Sequence, residues 1–262
     1  MISLERHGDG PLRIGHRGAA ALAPENTLQS FRAALAAGVD LIEFDLLQLR
    51  DGNLVVAHSN DLHEVSHGAA SGTVRSWTLE TLREVCPELP TLDEALEFFA
   101  EEARDIGAHV DLKSASAVAE LGVALRRFGL VERSFVSSFH VRALRRLVSL
   151  EPGVRVGVSF PRDIFGAHGR TGLSSVVRLS LRSLRTVTPL LAPVLLGRAR
   201  ASALVLHHSL VSSAAVHRAH SRGAAVVAWT VDDPQDLARV DEAGVDAVVS
   251  NDPRIFASTL ER

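Results

Sequence analysis

Tyrosine is absent from this 262-residue chain, lysine and cysteine occur once each, and methionine occurs only at the start. The single Cys, Cys86, excludes a disulfide scaffold and a Cys-rich zinc module. With no Tyr and no internal Met, neither residue type can supply catalysis or a flexible binding groove. No uninterrupted apolar run reaches the roughly 18 residues that a bilayer-spanning helix needs. The first ten residues have no basic start followed by an apolar core, so a cytoplasmic protein without a secretory leader is expected. A net charge of -3 and a pI near 6.5 exclude the strongly basic profile of a nucleic-acid binder. What is present is 46% hydrophobic and 23% charged, the balance of one ordinary globular domain spanning 1–262, neither disordered nor collagenous. The 28 basic residues divide into 27 Arg and one Lys, Lys113. Abundant Ala and Gly make that skew a usage bias, which leaves the one surviving Lys worth locating.

Short β-branched or Leu-rich runs alternate with helically periodic segments along the chain. The runs are Leu12–His16, Leu41–Leu47, Leu54–His58, His109–Lys113, Phe135–Phe139, Val154–Phe160, Ala203–His207, Ala225–Val231 and Ala247–Ser250. Candidate helices between them include Thr27–Ala37, Thr91–Ala103, Ala115–Phe128, Val141–Leu150, Ala214–Arg222 and Pro234–Ala243. Such alternation predicts a parallel sheet covered by helices. Asp51-Gly52 is a hairpin signal that folds Leu54–His58 back beside Leu41–Leu47 and out of the parallel set. Eight parallel strands remain, so the expected fold is α/β, a (β/α)8 TIM barrel with a small hairpin and loop insertion at about 50–90, after the second strand. Gly38, Gly223 and Gly244 stand where left-handed helix ends are expected.

A barrel of this kind carries its active site at the C-terminal ends of its strands. Polar residues gather there: His16-Arg17 after the first strand, Glu43 and Asp45 in the second, His58 on the hairpin arm, Asp111 and Lys113 in the third, and Trp229 further on. Residues i and i+2 of a strand share a face, so Glu43 projects with Asp45 and Asp111 with Lys113, while Phe44 and Leu112 pack on the other side. Three converging carboxylates repel one another unless a cation is present, and oxygen ligands suit Mg²⁺ or Ca²⁺. Lys113 and Arg17 supply charge that a phosphodiester would answer, and His16 and His58 can exchange protons near neutrality. Plainer readings stand beside these. Glu43-x-Asp45 could be a structural ion pair, Ser137-Ser138 a cap for the helix at Val141–Leu150, and Trp229 a core filler.

His16-Arg17-Gly18, Pro24-Glu25-Asn26-Thr27, Glu43-x-Asp45, Asp51-Gly52 leading to Val55-Val56-x-His58, Pro90-Thr91-Leu92-x-Glu94, Ser137-Ser138-Phe139 and Trp229-Thr230-Val231 together resemble the glycerophosphodiester phosphodiesterase family. The resemblance runs from about Gly15 to Pro253 in the family's order. It implies a metal-dependent barrel that hydrolyses glycerophosphodiesters to glycerol 3-phosphate and an alcohol. The family's acid–base pair falls on His16 and His58, and its Mg²⁺ or Ca²⁺ ligands on Glu43, Asp45 and Asp111. Arg17 and Lys113 would hold phosphate, and Trp229 would line the substrate site. Three positions depart from the family pattern: Asp111 replaces a commoner Glu, Ser59 replaces Asp after the second His, and Glu64-Val65-Ser66-His67-Gly68 replaces an Arg-Thr-Thr-Gly stretch.

Two other readings remain open. No acidic residue occurs from Ile164 to Val231, while Arg170, Arg178, Arg182, Arg185, Arg198 and Arg200 punctuate an apolar stretch. Such a segment, at 170–200, could make peripheral contact with an anionic membrane and favour lysophospholipase D activity on lipid-tailed diesters. The third reading is an inactive phosphodiester- or lipid-binding barrel, motivated by Asp111. The expected partner is a small glycerophosphodiester, with no nucleic acid.

Overall fold

The computed structural model describes residues 3–6, 10–161 and 174–257. Eight parallel strands close into a barrel in the order β1 (Leu12–Gly15), β9 (Ala247–Ser250), β8 (Ala225–Trp229), β7 (Ala203–His207), β6 (Arg155–Phe160), β5 (Ser134–Ser138), β4 (Gly107–Leu112) and β2 (Leu41–Gln48), with β2 returning to β1. The β2–β3 hairpin forms at Asp51-Gly52 as expected, and β3 (Leu54–Val56) lies antiparallel on β2. This strand stops short of His58, but Ala57 N–H still donates to Asp45 O at 3.0 Å, which holds the arm against the barrel rim.

Helices α1 (Leu28–Ala36), α4 (Leu92–Glu101), α5 (Val118–Arg127), α6 (Val141–Leu150), α8 (Ser213–His220) and α9 (Pro234–Glu242) occupy the expected places. The family-like motifs explain two of their starts. Thr27 and Ser30 form a reciprocal capping box on α1, and Thr91 and Glu94 do the same on α4. Gly38, Gly223 and Gly244 take positive φ after α1, α8 and α9.

Strand alternation sorts the apolar side chains into two cores. Phe44, Val110, Leu112 and Val136 face outward under the helices. Leu12, Ile14, Leu41, Phe135, Val205, Val227 and Val249 face inward, with Leu4 packed among them. This interior plug is apolar, and it gives way to polar side chains toward the C-terminal end of the strands. The insertion supplies α2 (Leu62–Val65) and α3 (Leu79–Val85), built on a separate core of Leu47, Leu49, Val55, Leu62, Val74 and Leu82. Arg75 ties it to the rim by donating to Lys113 O at 3.0 Å and Ser114 Oγ at 2.9 Å.

α7 (Ser174–Ala199) is far longer than its neighbours, about 39 Å at 1.5 Å per residue. Thr188, Ala192, Leu196 and Ala199 are buried along it, whereas Val187, Leu190 and Val194 are exposed. In the basic segment foreseen at 170–200, Arg170 and the side chains of Arg178 and Arg182 lie outside the described residues. Among the described residues no helix is long and apolar enough to cross a membrane.

Gly157 on β6 is where the interior plug has no spare room. A Cβ there would sit 2.5 Å from Phe135 Cζ and 2.8 Å from Val205 Cγ2. Gly157→Ala is therefore expected to destabilise the fold by about 1–3 kcal/mol through overpacking, read as a lower urea midpoint. An unchanged midpoint would show that the plug is slack.

Candidate active site

The C-terminal mouth of the barrel opens into a cavity of about 710 Å³. His16, Arg17, Glu43, Asp45, His58, Asp111, Lys113 and Trp229 all line it, so the structure brings together every residue singled out from the sequence. The β2–β4 register sets Asp45 directly beside Asp111 and Glu43 beside His109. Oxygens of Glu43, Asp45 and Asp111 lie within 4.8 Å of one another. At that separation each pair of negative charges repels by about 3 kcal/mol for an effective dielectric near 20, so the cluster needs compensation.

Lys113 supplies part of it. Its Nζ sits 2.9 Å from Asp45 Oδ1 and also contacts Asp111 Oδ2. Burial would depress the ammonium, but Asp111 and Asp45 overcome that and hold it well above its ordinary range. Arg17 Nε stands 3.3 Å from Asp45 Oδ2. Burial would likewise raise Asp45, yet Lys113 and Arg17 keep it well below the usual carboxylate range. Glu43 has no such partner. Burial, then Asp45 and Asp111, push it well above the ordinary value, relieved only in part by Lys113 and the Arg17 N–H. The cluster is thus undercompensated at Glu43. Its donors are all carboxylate oxygens, the set that a hard divalent cation takes, so the residues fit such an ion.

The turn after β1 is bent to reach this cluster. Arg17 takes φ 51 and its N–H donates to Glu43 Oε2 at 2.8 Å. Gly18 follows at φ 84, where a Cβ would stand 2.3 Å from Ser30 Oγ, so only glycine lets α1 pack this close. The Pro24–Thr27 stretch divides its labour: Glu25 takes Arg17 Nη1 at 2.6 Å, Asn26 Nδ2 donates to Asp45 Oδ2 at 2.9 Å, and Thr27 caps α1.

The two histidines approach the carboxylates from different sides. His58 Nδ1 is 3.4 Å from Asp45 Oδ2, and the side chain is partly exposed. His16 Nε2 is 3.9 Å from Glu43 Oε2. Burial and then Arg17 push His16 down to about 4, so its imidazole is neutral around pH 7. Its tautomer follows from a chain of partners. Asn251 Nδ2 donates to Asp232 Oδ2 at 2.6 Å, so Asn251 Oδ1 must accept the Nδ1–H of His16 at 2.7 Å. The lone pair of His16 is therefore on Nε2.

Several site residues carried no role in the sequence reading. Asn251, just past β9, and Asp232, in the loop after β8, line the cavity, and alternation from Ala247 and Val249 would have indicated the barrel-facing side for Asn251. Ser137 and Ser138 do not provide the expected N-cap of α6, which is His140 without a side-chain cap bond. Ser137 Oγ donates to Asp111 Oδ1 at 2.9 Å, and Ser138 Oγ to Leu112 O at 2.7 Å. Trp229 lines the rim on top of the interior core, edge-on to His207 and Phe139, and its buried indole N–H has no partner among the described residues. Ser59, in place of Asp, accepts from Asp61 N–H at 3.0 Å. Glu64–Gly68 ends α2 and continues past it.

A sequence model of the glycerophosphoryl diester phosphodiesterase family matches residues 16–255. The glycerophosphodiester phosphodiesterase of Caldanaerobacter subterraneus subsp. tengcongensis is 25% identical over 96% of this chain and 98% of its own length. That of Bacillus subtilis is 24% identical over 95% of this chain and 86% of its own. A solved structure from Silicibacter pomeroyi superposes with a TM-score of 0.76 at 25% identity, covering 98% of this chain and 96% of the other. The family match takes in the whole cluster from His16 to Asn251, and the chain belongs to the glycerophosphoryl diester phosphodiesterase family, a family of phosphoric diester hydrolases.

Proposed function

We propose that this protein hydrolyses glycerophosphodiesters to glycerol 3-phosphate and an alcohol, with His16 and His58 as a general base and acid around a divalent cation. The observation that carries the reading is the placement of two histidines against one compact carboxylate cluster, His58 on Asp45 and His16 on Glu43. Glu43, Asp45 and Asp111 would hold Mg²⁺ or Ca²⁺, which when bound supplies Lewis acidity toward a phosphoryl oxygen. Arg17 and Lys113 bind the phosphate and stabilise the charge that grows on it.

The histidine roles follow from their partners. Neutral His16, held with its Nε2 lone pair free, takes the proton from the water that attacks phosphorus, or from the glycerol hydroxyl. Attack by the hydroxyl leaves a cyclic phosphate, which water, giving its proton to His58, then opens as His16 returns its proton to the glycerol oxygen. His58 donates to the leaving alcohol, and Asp45 Oδ2, 3.4 Å from its Nδ1, orients the ring. The Trp229 N–H, in the wall of the same cavity, offers a donor to a substrate oxygen. His16→Ala and His58→Ala are each expected to lower kcat on glycerophosphocholine by about 10²–10⁴-fold. Asn251→Leu, which frees the His16 tautomer, lowers kcat on the order of 10²-fold with KM nearly unchanged. Full activity in both alanine variants would end the acid–base assignment.

Hydrolysis of lipid-tailed diesters is the second reading, favoured by the exposed Val187, Leu190 and Val194 and by the exposed Arg185 on α7. Lysophosphatidylcholine turned over faster than glycerophosphocholine, with loss of that preference in Leu190→Ser/Val194→Ser, supports it. Equal loss on both substrates, or no turnover of the lipid, removes it.

A further inference from the structure

One buried polar side chain in the barrel has no part in the chemistry above. His109 stands on β4 two residues before Asp111, on the same barrel-facing side, and is 2% exposed. Its ring centroid is 4.5 Å from that of Phe135, within the apolar plug. A leucine would fill this place without any polar cost, whereas the imidazole leaves Nδ1 buried and, among the described residues, unpartnered. An unsatisfied buried group of this kind is destabilising, which the other nitrogen must offset or function must explain.

The other nitrogen points to the cluster. His109 Nε2 is 2.9 Å from Ser137 Oγ, and Ser137 Oγ is 2.9 Å from Asp111 Oδ1. The β4–β5 register makes this possible, because Asp111 pairs with Ser137 and His109 with Phe135. Hydrogen inventory fixes the direction. A serine hydroxyl has one proton and a carboxylate can only accept, so Ser137 donates to Asp111 and must accept from the Nε2–H of His109. The second oxygen of Asp111 is taken by Lys113 Nζ. The χ2 torsion of Asp is a broad, roughly two-fold well, so among the described residues these two partners set how its carboxylate is turned.

We propose that His109 and Ser137 are positioning residues, a relay that aims the Asp111 carboxylate at the divalent cation and so sets how tightly the cation is held. The relay rests on the reading that Glu43, Asp45 and Asp111 are the ligands. Neither residue touches the reacting atoms. His109 fixes the serine hydroxyl by occupying its lone pair, and the hydroxyl fixes one oxygen of the ligand. Such outer partners are typically worth about 10–100-fold in metal affinity.

The test is calorimetric titration of the cation-free full chain with Mg²⁺ alone and Ca²⁺ alone, without substrate. Ser137→Ala and His109→Leu should each weaken binding by about 10–100-fold. His109→Gln, whose amide can donate to Ser137, should recover most of the loss. Because the two residues act in series, the double variant Ser137→Ala/His109→Leu should be no weaker than Ser137→Ala alone. Each variant's unfolding midpoint without cation is measured alongside, and if His109→Leu does not fold, Ser137→Ala and His109→Gln carry the test. Wild-type affinity in Ser137→Ala, additive losses in the double variant, or a Gln variant as weak as Leu overturns the relay alone. A wild-type chain that takes up neither cation overturns the ligand reading and the relay with it.

Discussion

Three carboxylates are drawn into one barrel mouth against their own repulsion, and most of the surrounding structure serves to hold them there. Asp45 is almost fully buried, and it is met by Lys113, Arg17, His58 and the amide of Asn26. Those partners come from four separate places along the chain: the β1 turn, the start of α1, the hairpin arm and the end of β4. The Gly18 contact with Ser30 and the left-handed Arg17 are what bring the first two close enough. Glu43 remains the member without a matching charge, and its raised carboxyl marks where a cation would do most.

The same constraint accounts for the one lysine. Twenty-seven of the 28 basic residues are Arg, and on the surface a guanidinium serves as well as an ammonium. Between Asp45 and Asp111 it does not. A compact ammonium on a flexible stem meets both carboxylates from one atom, whereas a planar fork would need more room in a cavity wall that already holds Arg17.

Fold and site were unequally legible in the sequence. The eight strands and the hairpin could be read because alternation and Asp51-Gly52 are local signals, and strand parity placed Glu43, Asp45, Asp111 and Lys113 on the inside. The His16–Asn251–Asp232 chain could not, since its members come together only when the barrel closes β9 against β1. The role of Ser137 is hidden from the sequence for a related reason. A serine at a strand end before a helix looks like a cap, and only the β4–β5 register shows it facing Asp111 instead. Several motif residues proved to be architectural: Thr91 and Glu94 cap α4, and Asp51 accepts from Leu79 N–H at 2.8 Å to anchor the insertion. The length of α7 had no clear sequence mark, because Pro189 and Pro193 lie inside it.

On the proposed function, the carboxylate cluster works through a divalent cation in phosphodiester hydrolysis. Phosphorus NMR of glycerophosphocholine incubated with the purified protein tests it most directly. Glycerol 3-phosphate is expected to appear with Mg²⁺ or Ca²⁺ present, to stop appearing with EDTA, and to return when excess cation is restored. Release that continues undiminished in EDTA, or no release with either cation, would contradict it.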